Sequence, residues 1–233
     1  MKRVKSLVFH SLVFSAAETF REHLVSTITD FGFDERIGYG LSVSVFSEGI
    51  LSVKVVKRTS TFINDFDNLE NQFIRKQIFV FSEFFFSIDL NINVLYVLGG
   101  MTHMNCVKYL FRTIFVDGYE LIPVDLTVSN FYKLITDKQL NAKIDHVTIN
   151  HFNFNNELIG RFSGSVLNNT IGPSLIASYK SDIVKLSFLI HINENESFTL
   201  QIFPNGVLKF LADTEDFDFI LDYLKQLIFK TNG

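Results

Sequence analysis

Short, densely apolar runs with partial alternation recur along the chain. In the first half they cover 6–14, 41–46, 50–56, 78–90 and 93–98, each rich in Val, Phe, Ile and Leu. Such runs predict strands, because successive side chains of a strand point to opposite faces and a buried face asks for an apolar residue at every second position. Between them the period lengthens. Ser15 with Glu18 three residues later is a capping-box pattern, and Phe20, His23, Leu24, Thr27 and Ile28 follow at helical spacing. A second helix is predicted from Thr102, with Met104, Val107, Leu110, Phe111 and Ile114 as its apolar stripe. In the second half, 129–140 and 214–229 read as helices, and 143–151, 158–166, 175–179, 183–192, 198–203 and 207–211 as strands. The predicted class is α+β, dominated by antiparallel sheet.

An internal repeat organises these elements. Val94-Leu95-Tyr96-Val97-Leu98-Gly99-Gly100 aligns with Val207-Leu208-Lys209-Phe210-Leu211-Ala212-Asp213, and after a one-residue slip Lys108 to Phe115 falls on Asp222 to Phe229. Upstream, 7–20 and 121–134 each read as a strand running into a Ser-started helix. The expectation is a duplicated unit of strand, helix, antiparallel strands and final helix. The first repeat is 1–116 and the second 117–233, tandem halves of one compact domain.

Composition narrows the class. The chain has 233 residues, 47% hydrophobic and 20% charged, so it can bury a sizeable core and is not a disordered segment. Three prolines and 12 glycines exclude collagen-like and tether-like sequence. Cys106 is the single cysteine, which leaves neither an internal disulfide nor a cysteine zinc site and points to a reducing, cytoplasmic setting. No apolar run reaches the roughly 18 to 20 residues of a membrane span, and no membrane association is expected. The basic start, Met1-Lys2-Arg3, leads into a run holding His10, which reads as a strand rather than a leader. The glycosylation-like triplets at Asn168 and Asn195 read as chance matches in an Asn-rich chain. The 27 phenylalanines, with no tryptophan, read as core residues and codon bias; on alternating strand positions one set would face inward and the other a partner or solvent.

Nothing in the sequence nominates an enzyme, a metal site or a cofactor. The six histidines carry no His-x-x-x-His pair; Asp145-His146 and His191 could meet only through the fold. Cys106 lies within an apolar helical stripe and reads as a small buried hydrophobe. Gly99-Gly100 before a helix has the outline of an anion-binding turn without the Lys of a P-loop. The polar stretch 59–76, with Asp65, Asp67 and Glu70, reads as a connection and as the best candidate for a mobile or partner-binding loop.

The segment Phe198-Thr199-Leu200-Gln201-Ile202-Phe203-Pro204-Asn205-Gly206-Val207-Leu208-Lys209-Phe210-Leu211-Ala212, with the helix from Thr214, resembles the hairpin and long helix of the TATA-box-binding protein family. Val45-Phe46-Ser47-Glu48-Gly49-Ile50 has the same local shape. The resemblance implies one curved antiparallel sheet with helices on one face. It places Phe203, with Phe46 as counterpart, where that family wedges a ring between base steps. Lys54, Lys57 and Arg58 would then supply phosphate contacts from one strand. The implied function is a non-enzymatic nucleic-acid or transcription-complex binding module, with DNA or RNA as partner. Charge points elsewhere: 25 acidic residues outweigh 21 basic ones, and 213–222 carries five acids where the family has a basic helix. The alternative is a protein-interaction subunit of a larger bacterial or viral defence or conflict assembly, with a protein partner and no direct nucleic-acid contact.

Overall fold

The computed structural model describes residues 3–15, 17–67, 69–115, 117–154, 157–167, 171–194, 196–212 and 214–229. These carry eleven strands and five helices in the order β1 (Arg3–Phe14), α1 (Ala17–Asp30), β2 (Tyr39–Ser47), β3 (Ile50–Asp67), β4 (Gln72–Asp89), β5 (Val94–Leu98), α2 (Met101–Ile114), β6 (Tyr119–Pro123), α3 (Val128–Asp137), β7 (Ala142–Phe154), β8 (Leu158–Ser165), α4 (Ile171–Tyr179), β9 (Ile183–His191), β10 (Ser197–Ile202), β11 (Leu208–Ala212) and α5 (Thr214–Phe229). The class is α+β built on open antiparallel sheet, as predicted. The chain divides into two compact units, one of Met1–His10, Leu98–Met104 and Ile122–Gly233, the other of Ser11–Val97 and Asn105–Leu121.

In the first of these units the strand order is β1, β11, β10, β9, β7, β8. Its register explains its core. Ile144, Phe188, Leu200 and Phe210 lie opposite one another on successive strands, and Val147, Leu186, Ile202, Leu208 and Leu7 form the next row. All nine are buried. Since residues facing each other across a ladder share one face of the sheet, this is the face the helices cover. Phe131 of α3 meets the Phe188 ring at 5.9 Å, and Phe217 of α5 stacks on Phe210 at 6.0 Å. The alternate positions, Thr199, Gln201 and Lys209, are only half-buried, which is the period of two that made β10 and β11 legible.

In the second unit the order is β2, β3, β4, β5 and the later part of β1, where the Leu12 N–H donates to the Asn93 carbonyl at 2.8 Å. Leu51, Val53 and Val55 of β3 face Ile88, Phe86 and Phe84 of β4, all buried. The Phe86 ring meets Phe111 of α2 at 6.1 Å, and His23 of α1 meets Phe115 at 6.2 Å, so α1 and α2 pack together around this core. The hairpin from β2 to β3 turns at Glu48 and Gly49, both at positive φ, and Gly49 is needed there because a Cβ would sit 2.6 Å from Asn91 Oδ1.

Two expectations are corrected. The run 175–179 is not a strand: it is the second half of α4, which starts at Ile171 with Pro173 in its first turn, where the missing N–H costs no helical bond. The stretch 59–76 is not a connection: β3 and β4 extend through it as a continuous ladder. The triplets at Asn168 and Asn195 start outside the described residues, and Ala16 and the Glu18 side chain, on which the capping box depends, lie outside them as well.

Candidate interaction surface

The ladder of β3 and β4 runs unbroken from Ile50 opposite Asp89 to Asp67 opposite Gln72. Its neighbours are shorter. β2 begins with Tyr39 opposite Lys57, and β5, five residues long, pairs with the end of β4 directly after the turn over 90–93. Beyond these points the two strands form a ribbon, 59–83, with no further strand on either edge among the described residues. Within it every residue of described burial is exposed except Ile78, which is half-buried.

Strand parity sorts the ribbon into two faces. The first continues the side that carries Lys54 and Phe85: Arg58, Phe62 and Phe66 from β3, and Phe73, Arg75, Phe79 and Phe81 from β4. Its rings and cations interleave. Phe66 meets Phe73 at 5.1 Å, the Arg75 guanidinium lies 4.3 Å from the Phe62 centroid, and Arg58 lies 4.8 Å from that of Phe79. Phe33, from the loop after α1, joins this face through Phe81 at 5.9 Å and Arg58 at 5.8 Å. The second face continues the core side outward with Thr59, Thr61 and Ile63 against Val80, Ile78 and Lys76, and ends at Ile74. Phe73 is 76% exposed and Phe81 58%. Soluble proteins seldom leave a contiguous apolar surface of this extent uncovered, and an unpaired strand edge adds a row of free backbone donors and acceptors.

The predicted contact residues are distributed as follows. Lys54 and Arg58 share the aromatic face; Lys57 points to the other side. Lys54 Nζ pairs with Glu83 at 3.1 Å. Arg58 Nη2 donates to the Glu35 carbonyl, and its backbone N–H donates to Gly38 at 2.8 Å. Lys57 lies over the Tyr39 ring at 5.8 Å, with its ammonium 3.9 Å from Cys106 Sγ. Phe46 is exposed and lies opposite Leu51, on the side of Val53 and away from Lys54. Phe203 belongs to the other unit: it closes the turn into β11, half-buried, with Lys209 Nζ 4.9 Å from its centroid.

Cys106 is half-buried and accepts a hydrogen bond from the Tyr39 hydroxyl at 3.5 Å. Burial, and next that hydrogen bond, push the Tyr39 hydroxyl well above its ordinary range, so it stays protonated and donating. Near α1, Arg36 beside Asp34 holds its carboxyl below the ordinary range through a 3.0 Å contact on the surface. In the other unit His146 Nε2 lies 3.0 Å from Ser163 Oγ, which is also 3.0 Å from Thr148 Oγ1. A base–nucleophile pair needs a third group to orient the imidazole; the described hydrogen bonds of His146 include no carboxylate, and the three side chains bridge β7 and β8. His151 pairs with Asp182 at 3.1 Å. Among the described residues no three His, Cys, Asp or Glu side chains are grouped to hold a metal ion, and no helix is long and apolar enough to cross a membrane.

Sequence reasoning read 78–90 as a strand, which β4 bears out, but missed the rest of the ribbon because 59–76 contains Thr59, Ser60, Thr61, Asn64, Asp65, Gln72, Arg75 and Lys76, a composition that reads as a loop. The signal that was there is the period of two in Phe62-x-x-x-Phe66 and in Phe73-x-Arg75-x-Gln77-x-Phe79-x-Phe81. The sequence matches no protein-family model and no curated protein.

Proposed function

We propose that the chain is a non-enzymatic interaction module whose β3–β4 ribbon docks on protein, as a subunit of a larger assembly. The observation that carries this reading is a strand pair with apolar side chains exposed on both faces and no strand on either edge among the described residues. An isolated strand pair is marginal in water, and burying both faces against a partner supplies what the ribbon lacks. A nucleic-acid platform uses one face, whereas the second face offers Ile63, Ile74, Ile78 and Val80, aliphatic groups with nothing to stack on a base. The test is site-specific photo-crosslinking in native extract, with the crosslinker at Phe66 or Phe73 and, as control, at exposed Glu194. Protein adducts formed from the ribbon positions alone support the reading; adducts equal to the control, or none, refute it.

A second reading is favoured by the aromatic face itself. Exposed rings interleaved with Lys54, Arg58 and Arg75 have the makings of a stacking platform for single-stranded nucleic acid. It is supported less well, because Lys54 and Arg58 are already engaged by Glu83 and Glu35 and the chain carries a net charge of -4. In this reading Phe46 and Phe203 remain the candidate wedges. Binding of labelled DNA and RNA across a salt series separates the two: affinity falling steeply with salt belongs to phosphate contacts.

The duplicated, TATA-box-binding-protein-like unit is part of the same proposal. Its support is the element order: β1, α1, β2, β3, β4, β5, α2 is matched by β6, α3, β7, β9, β10, β11, α5 once β8 and α4 are taken as an insertion. The order β2, β3, β4, β5 in one unit then corresponds to β7, β9, β10, β11 in the other, with β8 added at the edge.

A further inference from the structure

We propose that Lys57 and Cys106 form a peroxide-driven sulfur–nitrogen crosslink, a reversible covalent tie between β3 and α2. The inference stands apart from the docking reading, since the bond lies within the chain.

Three elements bring the groups together. Tyr39 opens β2 directly opposite Lys57 of β3, and Cys106, in the second turn of α2, meets both. The Lys57 ammonium lies 3.9 Å from Sγ and the Tyr39 hydroxyl 3.5 Å, each donating to the sulfur. Lys57 shares the side of β3 that carries buried Val53 and Val55, yet among the described residues it has no carboxylate partner. No ion pair therefore accounts for an amine on that side; its ammonium rests against the Tyr39 ring and the thiol. The apolar stripe of α2 explains where Cys106 falls in the sequence, but not these neighbours.

Reactive cysteines occupy partly exposed, electropositive settings, while fully buried ones are inert. Cys106 is half-buried. Tyr109, one turn further along α2, is 47% exposed with its ring 5.8 Å from that of Tyr39, so the cluster lies at the surface of its unit rather than in the core. The Tyr39 hydroxyl, held protonated by burial and by its bond to Cys106, keeps one donor on the sulfur.

Hydrogen peroxide is the oxidant. The sulfur attacks one peroxide oxygen, the O–O bond breaks, and the thiol becomes a sulfenic acid with release of water. The neutral Lys57 amine then attacks that sulfur through its lone pair. The S–N bond forms, the S–O bond breaks, and hydroxide leaves with a proton from the amine as a second water. The two electrons lost by the thiol reduce the peroxide. Sulfenic acids condense with a thiol or with a backbone nitrogen. This chain has no second cysteine, and the nitrogen nucleophile at 3.9 Å is Lys57. A thiol reductant reverses the bond by attacking sulfur and releasing the amine. Lys57 is the last position that β3 shares with β2 in the ladder, so the crosslink fastens the root of the ribbon to α2.

Intact-mass measurement and tryptic mapping of the purified full chain, before and after hydrogen peroxide, test this. The expected product is lighter than the parent by two hydrogens, yields one crosslinked peptide holding Lys57 and Cys106, and reverts with dithiothreitol. Lys57→Arg keeps the charge and removes the nucleophilic amine. It should abolish the crosslink and raise dimedone labelling of Cys106 severalfold, with the far-ultraviolet circular dichroism unchanged. Tyr39→Phe, which removes one donor, should slow loss of the thiol severalfold and guards against a folding defect in the lysine variant. A Cys106 thiol that still reacts fully with Ellman's reagent after peroxide overturns the proposal. So does a sulfenic or sulfinic acid at Cys106 with the Lys57 amine unmodified, and so does a crosslink that persists in Lys57→Arg.

Discussion

Phe86 and Phe81 sit on the same strand with the same side chain, yet the fold makes opposite use of them. Phe86 is 1% exposed, opposite Val53 and against Phe111, whereas Phe81 lies opposite Arg58 and is mostly in solvent. Truncating a fully buried phenylalanine removes its transfer energy and leaves a cavity, so Phe86→Ala should cost about 3 to 5 kcal/mol. Phe81→Ala should change stability by no more than roughly 0.5 kcal/mol, as expected of exposed positions. Urea denaturation of the two variants beside the parent chain checks both. Equal losses would mean that Phe81 is covered in solution. Alternation alone separates these residues only where the helix-facing side of a strand is known. The sequence therefore marked Phe86 as a strand residue in a run of phenylalanines, and Phe111 of α2 decides which face is inside.

At the scale of elements, α5 was legible to the residue, because Glu215 and Asp216 mark its first turn and an apolar stripe with a helical period runs to its end. α4 was misread for the opposite reason: an apolar run as short as Leu175-Ile176-Ala177 has no period of its own, and its helical state depends on Ile176 being buried and on Gly172 lying against Ile144, where a Cβ would approach to 2.5 Å. The outer ribbon, 59–76, was misread because strands are recognised by burial on at least one face, and there both faces are exposed. Its independence from the core is testable. Residues 60–79 deleted and replaced by a short turn should leave the thermal midpoint within a few degrees, since no residue of described burial in that stretch is buried and only Ile78 is half-buried. A midpoint lowered by ten degrees or more would show the ribbon to be part of the folded core.

On the scale of the whole molecule, the antiparallel α+β class and most of the elements, α4 and the outer ribbon apart, could be read from the sequence, while the surface that matters could not. The sequence directed attention to Lys54, Lys57 and Arg58 as one basic strip, but adjacent strand residues point to opposite sides, so Lys57 reaches Tyr39 and Cys106 while Lys54 and Arg58 join the rings. With 25 acidic residues against 21 basic ones, the interaction account predicts weak binding of DNA and RNA at low salt and a shallow dependence on added salt. A steep dependence would move the aromatic face to the nucleic-acid reading. The most direct measurement is residue-resolved amide hydrogen exchange along β4, in the purified chain alone and in the chain recovered with bound protein from native extract. Because the Leu90 N–H donates to Gly49 and the ladder has no bulge, the even-numbered residues of β4 are bonded to β3 and the odd ones turn outward. The account predicts that the amides of Arg75, Gln77, Phe79 and Phe81 exchange freely in the chain alone and are protected in the complex, while those of Ile78 and Val80 are protected in both. Outward amides that exchange equally freely in both samples would contradict it.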